Sequence, residues 1–344
     1  MAMIEPVRVL GSLILGGCIY VFLGVSLLVA PICANLVGYG FSNPYLRQEQ
    51  QAYYVKGPMR SIWQADAGCA VSHEDLGYTA RLGECKFQNA EFDTKLRYTK
   101  AGWAIPPPRS GSKERVVVLG DSQAMAWGVN HDQSFAYLLR NLGYTVSNFA
   151  ISSYATEQQL QSVVRRPEFS EADTLIIQYC ENDMDKNKRY LRDYLAEELA
   201  LFSAQQTPAP LSDLQKLRNA ANRFFDVFDL SAMVLAPVRF ITTMRNGQAL
   251  EPYSLEKTAQ HKAHLLNVLG RFAEIKNKSI IVFYSNGYGK KFTGWDMEQN
   301  NIHLVDMGLR RRHYHRIDDH LNIEGHEYIA SKLNTVLTEL RLVH

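Results

Sequence analysis

Residues 115–129 have the sequence RVVVLGDSQAMAWGV, and no other stretch constrains the fold as strongly. The aliphatic run that ends at Leu119 predicts a short strand buried on both faces, as in a parallel sheet. Gly120 permits a sharp turn, and Asp121 and Ser122 are residues that commonly begin a helix. The stretch therefore predicts that the Ser122 hydroxyl lies at the carboxyl end of a strand, where open α/β sheets bind ligands. A serine that only caps the helix is the alternative until partner residues are found downstream.

After residue 113 the apolar pattern alternates between strand-like and helix-like stretches. We predict strands at 115–119, 144–147, 174–179, 279–284 and 302–305, and helices at about 133–142, 155–164 and 323–340. Strands that alternate with helices predict an α/β fold, in which a parallel sheet is covered by helices on both faces.

The N-terminal segment carries no charge from Val9 to Ala34. This run is long enough to cross a bilayer as a helix, and it is longer than the apolar part of a typical signal peptide. Arg8 precedes the run and the next charged residue is Arg47, which favours a cytoplasmic N-terminus. We therefore expect one uncleaved transmembrane helix in the cell (inner) membrane, with the rest of the chain extracytoplasmic, on the periplasmic side. Lipoprotein processing at Cys18 and cleavage after Ala34 are the alternatives.

The five cysteines fall into two groups. Cys18 and Cys33 lie in the apolar run and Cys180 follows a predicted strand, so all three are expected to pack as small apolar residues. Cys69 and Cys85 lie in a polar segment outside the anchor. If that segment faces an oxidising compartment, these two thiols are expected to form a disulfide, and two free thiols are the alternative.

Neither nucleic acid nor a metal ion is indicated as a ligand by the charge or by the histidine spacing. The formal net charge is +2, which gives no global field for binding nucleic acid. The C-terminal histidines have no spacing typical of metal ligands, so we expect no metal site; they lie at positions 313, 315, 320 and 326.

A base for Ser122 is expected close to the C-terminus, where Asp318 stands two residues before His320 and just ahead of the last predicted helix. One loop can then hold the base and the carboxylate that orients it, as nucleophilic attack by a serine requires. Asp319 is the alternative carboxylate. Asn182 directly follows a predicted strand, and its amide can donate two hydrogen bonds to an oxyanion above the serine.

These residues resemble the sequence blocks of the SGNH, or GDSL-type, hydrolases, a superfamily of serine esterases and O-acyltransferases with a flavodoxin-like three-layer fold. The Gly-Asp-Ser triplet that ends at Ser122 is similar to the first block, which implies that Ser122 is the nucleophile. Residues 148–153 (NFAISS) are similar to the second block, which implies an oxyanion donor at the N–H of Ser153. The Glu-Asn-Asp triplet around Asn182 is similar to the third. The resemblance thus implies an oxyanion hole formed by Ser122, Ser153 and Asn182.

The chain departs from the family pattern at three positions. Ser153 and Cys180 stand where the family usually has glycine, and Ile317 stands where the usual Asp-x-x-His motif has aspartate. The Asp318-x-His320 spacing resembles instead that of membrane-associated polysaccharide O-acetyltransferases of the superfamily. The resemblance covers about residues 114–342, and it implies a catalytic triad of Ser122, His320 and Asp318.

The domain organisation predicted from these features has three parts: an anchor (1–40), a membrane-proximal accessory segment and linker (41–113) and an SGNH-type catalytic domain (114–344). The last boundary follows a stiff run of three prolines at 106–108 and a flexible Ser/Gly stretch. A helical insertion is expected at about 186–260. Within it, residues 224–245 are unusually apolar. We interpret them as core packing or a lid over the active site, and an amphipathic face on the membrane is the alternative.

The sequence therefore predicts a membrane-anchored serine enzyme that adds or removes acetyl groups on a cell-envelope or exported glycan. Such a mechanism needs only protein side chains, so no cofactor is expected. A membrane-embedded acyl-donor protein would be a natural partner for a transferase. A catalytically inactive SGNH-fold protein that binds a glycan or serves as a scaffold in a membrane complex is the alternative, motivated by Ser153 and Cys180.

Overall fold

The structure is a computed structural model, and it describes residues 4–36, 41–56, 60–108, 111–180, 182–190, 230–246, 255–285 and 301–343. Contacts divide the chain into two compact units. The first unit comprises residues 1–60, 209–252 and 316–318, and the second comprises 61–208, 253–315 and 319–344.

The described helices are, in chain order, α1 (Ile4–Leu36), α2 (Pro44–Lys56), α3 (Ser122–Met125), α4 (Phe135–Asn141), α5 (Thr156–Gln161), α6 (Pro167–Ser170), α7 (Asp183–Tyr190), α8 (Leu230–Asn246), α9 (Leu255–Gly270) and α10 (Ile323–Val343). The described strands are β1 (Ala70–His73), β2 (Gly77–Ala80), β3 (Gly83–Asn89), β4 (Phe92–Thr99), β5 (Gly102–Trp103), β6 (Arg115–Leu119), β7 (Thr145–Asn148), β8 (Thr174–Tyr179), β9 (Ser279–Tyr284) and β10 (Ile302–Val305).

A five-stranded parallel sheet forms the centre of the second unit. Its strand order is β10-β9-β8-β6-β7, the flavodoxin-like arrangement in which the first strand lies between the second and the third. Four of the five predicted strands have the expected bounds, and β7 begins and ends one residue later than expected. The predicted α/β fold with a parallel sheet is therefore confirmed.

Successive side chains of the central strand β6 enter separate cores on the two faces of the sheet. Val116 and Val118 pack in the core that includes apolar residues of α4 and α10. Val117 and Leu119 pack in the core that includes apolar residues of α5 and α9. Burying a large aliphatic side chain contributes about 1.5–3 kcal/mol, so the continuous aliphatic run of β6 stabilises a three-layer sandwich that holds the end of β6 in place.

Residues 61–113 of the accessory segment belong to the same compact unit as the parallel sheet, whereas residues 41–60 belong to the first unit. β1 and β2 form a hairpin, and β3, β4 and β5 form a three-stranded antiparallel sheet. Cys69 and Cys85 are joined by a disulfide with a Cα–Cα distance of 5.0 Å. The Trp103 indole N–H donates to the Ala150 carbonyl oxygen at 2.7 Å, in the loop after β7. The boundary near residue 113 stays a prediction, because residues 61–208 cluster together.

The first unit contains α1, α2 and α8. Residues Ser12–Asn35 of α1 are long and apolar enough to span a bilayer or to act as a signal sequence, with 24 residues and a hydropathy of 2.5. Much of the predicted insertion (191–229 and 247–254) lies outside the described residues. Within the described part, α8 covers the C-terminal portion of the unusually apolar stretch.

Candidate active site

Ser122 is the first residue of α3, directly after the tight turn that follows β6. Gly120 has φ +155°, and a Cβ at this position would lie 2.7 Å from Gln178 Oε1, so the turn requires glycine. The Asp121 N–H donates to Gln178 Oε1 at 2.9 Å, and Asp121 Oδ1 accepts from the Gln123 N–H at 3.0 Å. Asp121 is thus the cap of α3, and the turn directs Ser122 away from the core.

His320 lies against the Ser122 hydroxyl, 198 residues away in the sequence. Its Nε2 is 2.7 Å from Ser122 Oγ. The His320 ring stacks on Trp127 with 4.6 Å between ring centroids and 14° between planes, and the residue is only 5% exposed. With the ring proton on Nδ1, Nε2 is positioned to accept the serine proton.

The Gln123 side chain holds the backbone on both sides of His320. Its Nε2 donates to the Asp319 carbonyl oxygen at 3.1 Å, and its Oε1 accepts from the Leu321 N–H at 3.1 Å. The residue next to Ser122 therefore fixes the position of the histidine loop. Our sequence analysis did not identify Gln123. Its place directly after the serine is visible in the sequence, but its contacts with the histidine loop, 196 and 198 residues away, are not.

Two carboxylates neighbour His320 in the chain, and their contacts differ. Asp319 Oδ1 is 3.2 Å from His320 Nδ1, and the Asp319 side chain is 41% exposed. Asp318 is fully buried, and its Oδ1 is 3.3 Å from the Arg60 guanidinium. The assignment of Asp318 as the orienting carboxylate stays a prediction, while the geometry places the alternative, Asp319, beside Nδ1.

The three predicted oxyanion donors follow three neighbouring parallel strands. Ser122 follows β6, Ser153 follows β7 and Asn182 follows β8, with β6 in the middle. Because the carboxyl ends of parallel strands meet at one edge of a sheet, these residues share that edge. Ser153 has φ +65°, the left-handed region that favours the glycine usual in the family. Asn182 is exposed in the turn that precedes α7.

The Gln64 side chain of the accessory segment binds both serine hydroxyls of the loop after β7. Gln64 Nε2 donates to Ser153 Oγ at 3.2 Å, and the Ser152 hydroxyl donates to Gln64 Oε1 at 3.0 Å. The Tyr78 hydroxyl donates to the Ser152 carbonyl oxygen at 2.6 Å. These contacts hold a non-glycine residue in a conformation that costs about 1–2 kcal/mol for an L-amino acid.

Cys180 replaces a glycine of the family pattern and is fully buried at the end of β8. Burial, together with the nearby Asp121 and Asp183 carboxylates, raises the pKa of the Cys180 thiol well above its usual value. The thiol therefore stays protonated at neutral pH, and its chemistry is that of a small apolar side chain rather than of a second nucleophile.

Two further histidines near the site are held neutral by their surroundings. Burial lowers the pKa of His326 to about 3, and its Nδ1 accepts from the Phe135 backbone N–H at 3.2 Å. Burial also lowers the pKa of His313. Neither imidazole has a described contact with Ser122, which leaves His320 as the histidine suited to act as the base.

A metal-type cluster is formed by three consecutive residues, Asp318, Asp319 and His320, whose potential ligand atoms lie within 4.8 Å of one another. Both ring nitrogens of His320 are already engaged, Nε2 by Ser122 and Nδ1 by Asp319. A metal at this position would have to displace one of these partners, so the residues fit a serine–histidine pair better than a metal centre.

Residues 116–333 match the family model described as GDSL-like lipase/acylhydrolase. Among solved structures, the lipase Lip_vut3 from a goat rumen metagenome is 14% identical, with 64% of this chain and 95% of that chain covered and a TM-score of 0.34. A catalytic mutant of Axe2, an acetylxylan esterase from Geobacillus stearothermophilus, is 14% identical, with 65% and 94% covered and a TM-score of 0.29. No curated protein matches the chain.

Proposed function

The chain belongs to the GDSL-like lipase/acylhydrolase family, and we propose that it is a membrane-anchored serine enzyme that cleaves or transfers acyl esters. The observation that carries the proposal is the 2.7 Å contact between His320 Nε2 and Ser122 Oγ. A buried imidazole in hydrogen-bond contact with a serine at the end of a parallel strand is the arrangement that nucleophilic acyl transfer needs.

In the proposed mechanism, His320 accepts the Ser122 proton while Oγ attacks the ester carbonyl carbon. A negative charge develops on the carbonyl oxygen, and the N–H groups of Ser122 and Ser153, with the Asn182 amide, donate hydrogen bonds to it. As the carbon–oxygen bond breaks, His320 returns the proton to the departing alcohol. The Ser122 acyl ester then remains.

The second half of the reaction uses the same groups in reverse. His320 removes a proton from water or from a sugar hydroxyl, whose oxygen attacks the acyl carbon. As the bond between the acyl carbon and Ser122 Oγ breaks, His320 returns this proton to Oγ, which restores the resting enzyme. An adjacent carboxylate keeps the proton of the resting imidazole on Nδ1 and stabilises the imidazolium. Asp319 is the candidate with a 3.2 Å contact to Nδ1, and Asp318 is the candidate that the family spacing implies.

We further propose that the enzyme adds or removes acetyl groups on a cell-envelope or exported glycan, on the extracytoplasmic side of the inner membrane. Two features support this finer assignment. The segment Ser12–Asn35 is suited to anchoring the protein, and the Asp318-x-His320 spacing resembles that of membrane-associated polysaccharide O-acetyltransferases. A membrane-embedded acyl-donor protein would supply the acyl group if the enzyme is a transferase.

The activity is tested with full-length protein in detergent, by following p-nitrophenol release from p-nitrophenyl acetate. Ser122→Ala and His320→Ala are expected to lower kcat/KM by about 10³-fold or more. Ser331→Ala is the matched control, because this serine is exposed on α10, and it is expected to retain full activity. Equal rates in all four folded proteins would favour the binding or scaffold alternative instead.

A second assay separates transfer from hydrolysis. Acetylated and non-acetylated oligosaccharides are incubated with wild-type protein, and the products are identified by mass spectrometry. Acetyl transfer that outpaces ester hydrolysis would define a transferase, and loss of acetyl groups from the glycan would define an esterase. Activity on p-nitrophenyl acetate without either reaction would contradict the glycan assignment while leaving the serine mechanism intact.

A further inference from the structure

Helix α8 exposes an apolar face that no described part of its own unit covers. Val234, Leu235, Val238 and Ile241 are 51%, 43%, 49% and 61% exposed. Their spacing of one, four and seven residues places them on one side of a helix. A contiguous row of large aliphatic side chains is unfavourable in water, so this face needs an apolar partner.

The opposite face of α8 packs on the candidate membrane span. Ala236 is fully buried in a cluster with Leu27 and Leu28 of α1 and Tyr45 of α2. The Tyr20 hydroxyl of α1 donates to the Val234 carbonyl oxygen at 2.6 Å. Helix α8 therefore lies along the apolar segment Ser12–Asn35 of α1.

The position of Tyr20 gives the depth of this contact. Tyr20 is eight residues after Ser12 and fifteen residues before Asn35. At about 1.5 Å per residue, it lies about 12 Å from one end of the span and about 22 Å from the other. Where α1 crosses a bilayer, Val234 is thus close to the centre of the hydrocarbon.

The direction of α8 follows from its next contacts along the chain. Phe240 meets Tyr45 of α2 edge to face, with ring centroids 5.7 Å apart. Tyr45 packs with Leu27 and Leu28 of α1, which are closer to Asn35 along the helix than Tyr20 is. From Val234 to Phe240 the helix therefore rises from mid-bilayer toward the Asn35 side. Arg239 and Arg245 are exposed in this later part of the helix, where long cationic side chains reach lipid head groups.

Two polar groups of α8 have the hydrogen-bond partners that hydrocarbon requires. The exposed Thr242 hydroxyl lies 3.0 Å from the carbonyl oxygens of both Val238 and Arg239, one turn back in the same helix. The Val234 carbonyl oxygen accepts from the Tyr20 hydroxyl of α1. Pro237 lies within the helix and has no N–H to donate to the carbonyl four residues earlier, and proline of this kind is tolerated in membrane helices.

We propose that α8 is a second membrane-embedded element, seated beside α1 in the leaflet on the Asn35 side, with Val234, Leu235, Val238 and Ile241 against lipid acyl chains. The proposal rests on the proposed anchoring of α1. It replaces the core packing or lid expected from the sequence with the membrane alternative, and it makes the anchor a helix pair that fixes rotation about α1 as well as depth.

The test places single fluorophores on the full-length protein in lipid vesicles. Cys18 and Cys33 are replaced by alanine, while buried Cys180 stays. Val234→Cys, Val238→Cys and Ile241→Cys are each labelled with an environment-sensitive dye, in phosphatidylcholine/phosphatidylglycerol vesicles that contain lipids with nitroxides at known depths. Phe22→Cys, at a position 73% exposed on α1, is the control for the anchor, and Lys332→Cys on the exposed side of α10 is the control for water.

We expect lipid nitroxides to quench the dye at all three α8 positions, with the deepest nitroxide most effective at position 234 and a shallower one at 241. Aqueous iodide should quench only the dye at position 332.

Quenching of the dye at position 238 by iodide, together with quenching of the dye at position 22 by lipid nitroxides, would overturn the proposal and leave the anchor intact. Protection of 238 from both quenchers would overturn it in favour of a protein cover. Iodide quenching at both 22 and 238 would overturn the anchor as well.

Discussion

At the scale of single residues, the identity of the orienting carboxylate is the main open assignment. Asp319 Oδ1 contacts His320 Nδ1 at 3.2 Å, whereas the buried Asp318 is paired with a nearly buried Arg60. We expect Asp319→Asn to lower kcat by about 10²–10⁴-fold with little change in thermal stability. We expect Asp318→Asn to destabilise the fold by about 3–5 kcal/mol, because it removes the carboxylate charge from a nearly buried ion pair with Arg60.

Rate measurements and thermal unfolding of both variants distinguish the two roles. The reverse pattern, in which Asp318→Asn removes activity and Asp319→Asn has no effect, would restore the assignment made from the sequence. Glu339→Gln, a change to an exposed carboxylate on α10, is a control for the loss of one negative charge.

Gln64 is expected to act as a positioning residue for Ser153. Because its amide binds the Ser152 and Ser153 hydroxyls, Gln64→Leu frees a strained loop that presents a proposed oxyanion donor. We expect kcat to fall about 10-fold or more with KM nearly unchanged, since the oxyanion hydrogen bond strengthens only in the transition state. Gln88→Leu, at an exposed position of the same accessory segment, should leave kcat unchanged. If Gln64→Leu and Gln88→Leu both lose a similar small amount of stability and both keep the wild-type kcat, Gln64 has a purely structural role.

The sequence was sufficient to select Ser122 and His320 as candidate residues, which the structure brings within 2.7 Å of each other, but not the residues that hold them. Ser122 and His320 could be found because a strand–turn–helix pattern and a carboxylate–histidine pair have local signatures. Gln123 and Gln64 could not be found in this way, because their roles depend on contacts with residues that are distant in the sequence. Gln123 contacts a residue 198 positions away, and Gln64 contacts residues 88 and 89 positions away. Glutamine is also common on surfaces, so its identity alone gives no signal.

At the scale of elements, α10 joins α4 through a buried histidine. The His326 ring stacks on Phe135, and burial lowers its pKa to about 3, below the usual value of 6.5. The unfolded chain therefore binds a proton more readily than the folded chain between these pH values. The resulting stability is fully present above about pH 6.5 and decreases by about 1.4 kcal/mol per pH unit as the pH falls toward 3.

Urea unfolding of wild-type protein and His326→Gln between pH 7 and pH 4 tests this linkage. The variant is less stable at pH 7, because a buried stacking contact is lost. Its free energy of unfolding should decline less steeply on acidification than that of the wild type. Parallel curves for the two proteins would show that His326 contributes no linkage. Subtracting the free energy of unfolding of the variant from that of the wild type at each pH removes the contribution of the other titrating groups, which the two chains share.

The disulfide between Cys69 and Cys85 joins the start of β1 to β3 across a separation of 16 residues. A loop of this size is stabilised by about 3 kcal/mol through the lost freedom of the unfolded chain. We expect the double variant Cys69→Ser, Cys85→Ser to lose about that amount in denaturant unfolding, and wild-type protein to lose it in reducing agent. An unchanged midpoint in both experiments would show that the cross-link is absent from the purified protein.

Three strands of the parallel sheet, β6, β8 and β9, have clear signals in the sequence because each contains an apolar run that is buried on both faces. The five accessory strands could not be located one by one. β3 and β4 are exposed on one face, and β1, β2 and β5 have only two to four residues each. Their packing against the loop after β7 depends on side chains such as Trp103 and Tyr78. A search for local periodicity does not detect such long-range contacts.

At the scale of the whole molecule, the chain combines an apolar helical unit and a catalytic α/β unit. The sequence indicated the apolar helix and the α/β sheet, since a long uncharged run and alternating strands and helices are strong signals. For residues 224–245 it favoured core packing or a lid, with a membrane element as the alternative. The contact of α8 with Tyr20, 214 residues away, supports the membrane element.

The central claim is that His320 activates Ser122 as a nucleophile. The most direct measurement is covalent labelling of intact, full-length protein with a fluorophosphonate, followed by peptide mapping with mass spectrometry. Our account predicts one label per chain, on Ser122, and loss of labelling in folded His320→Ala. The absence of a label on folded wild-type protein, or a label on a different serine, would contradict it.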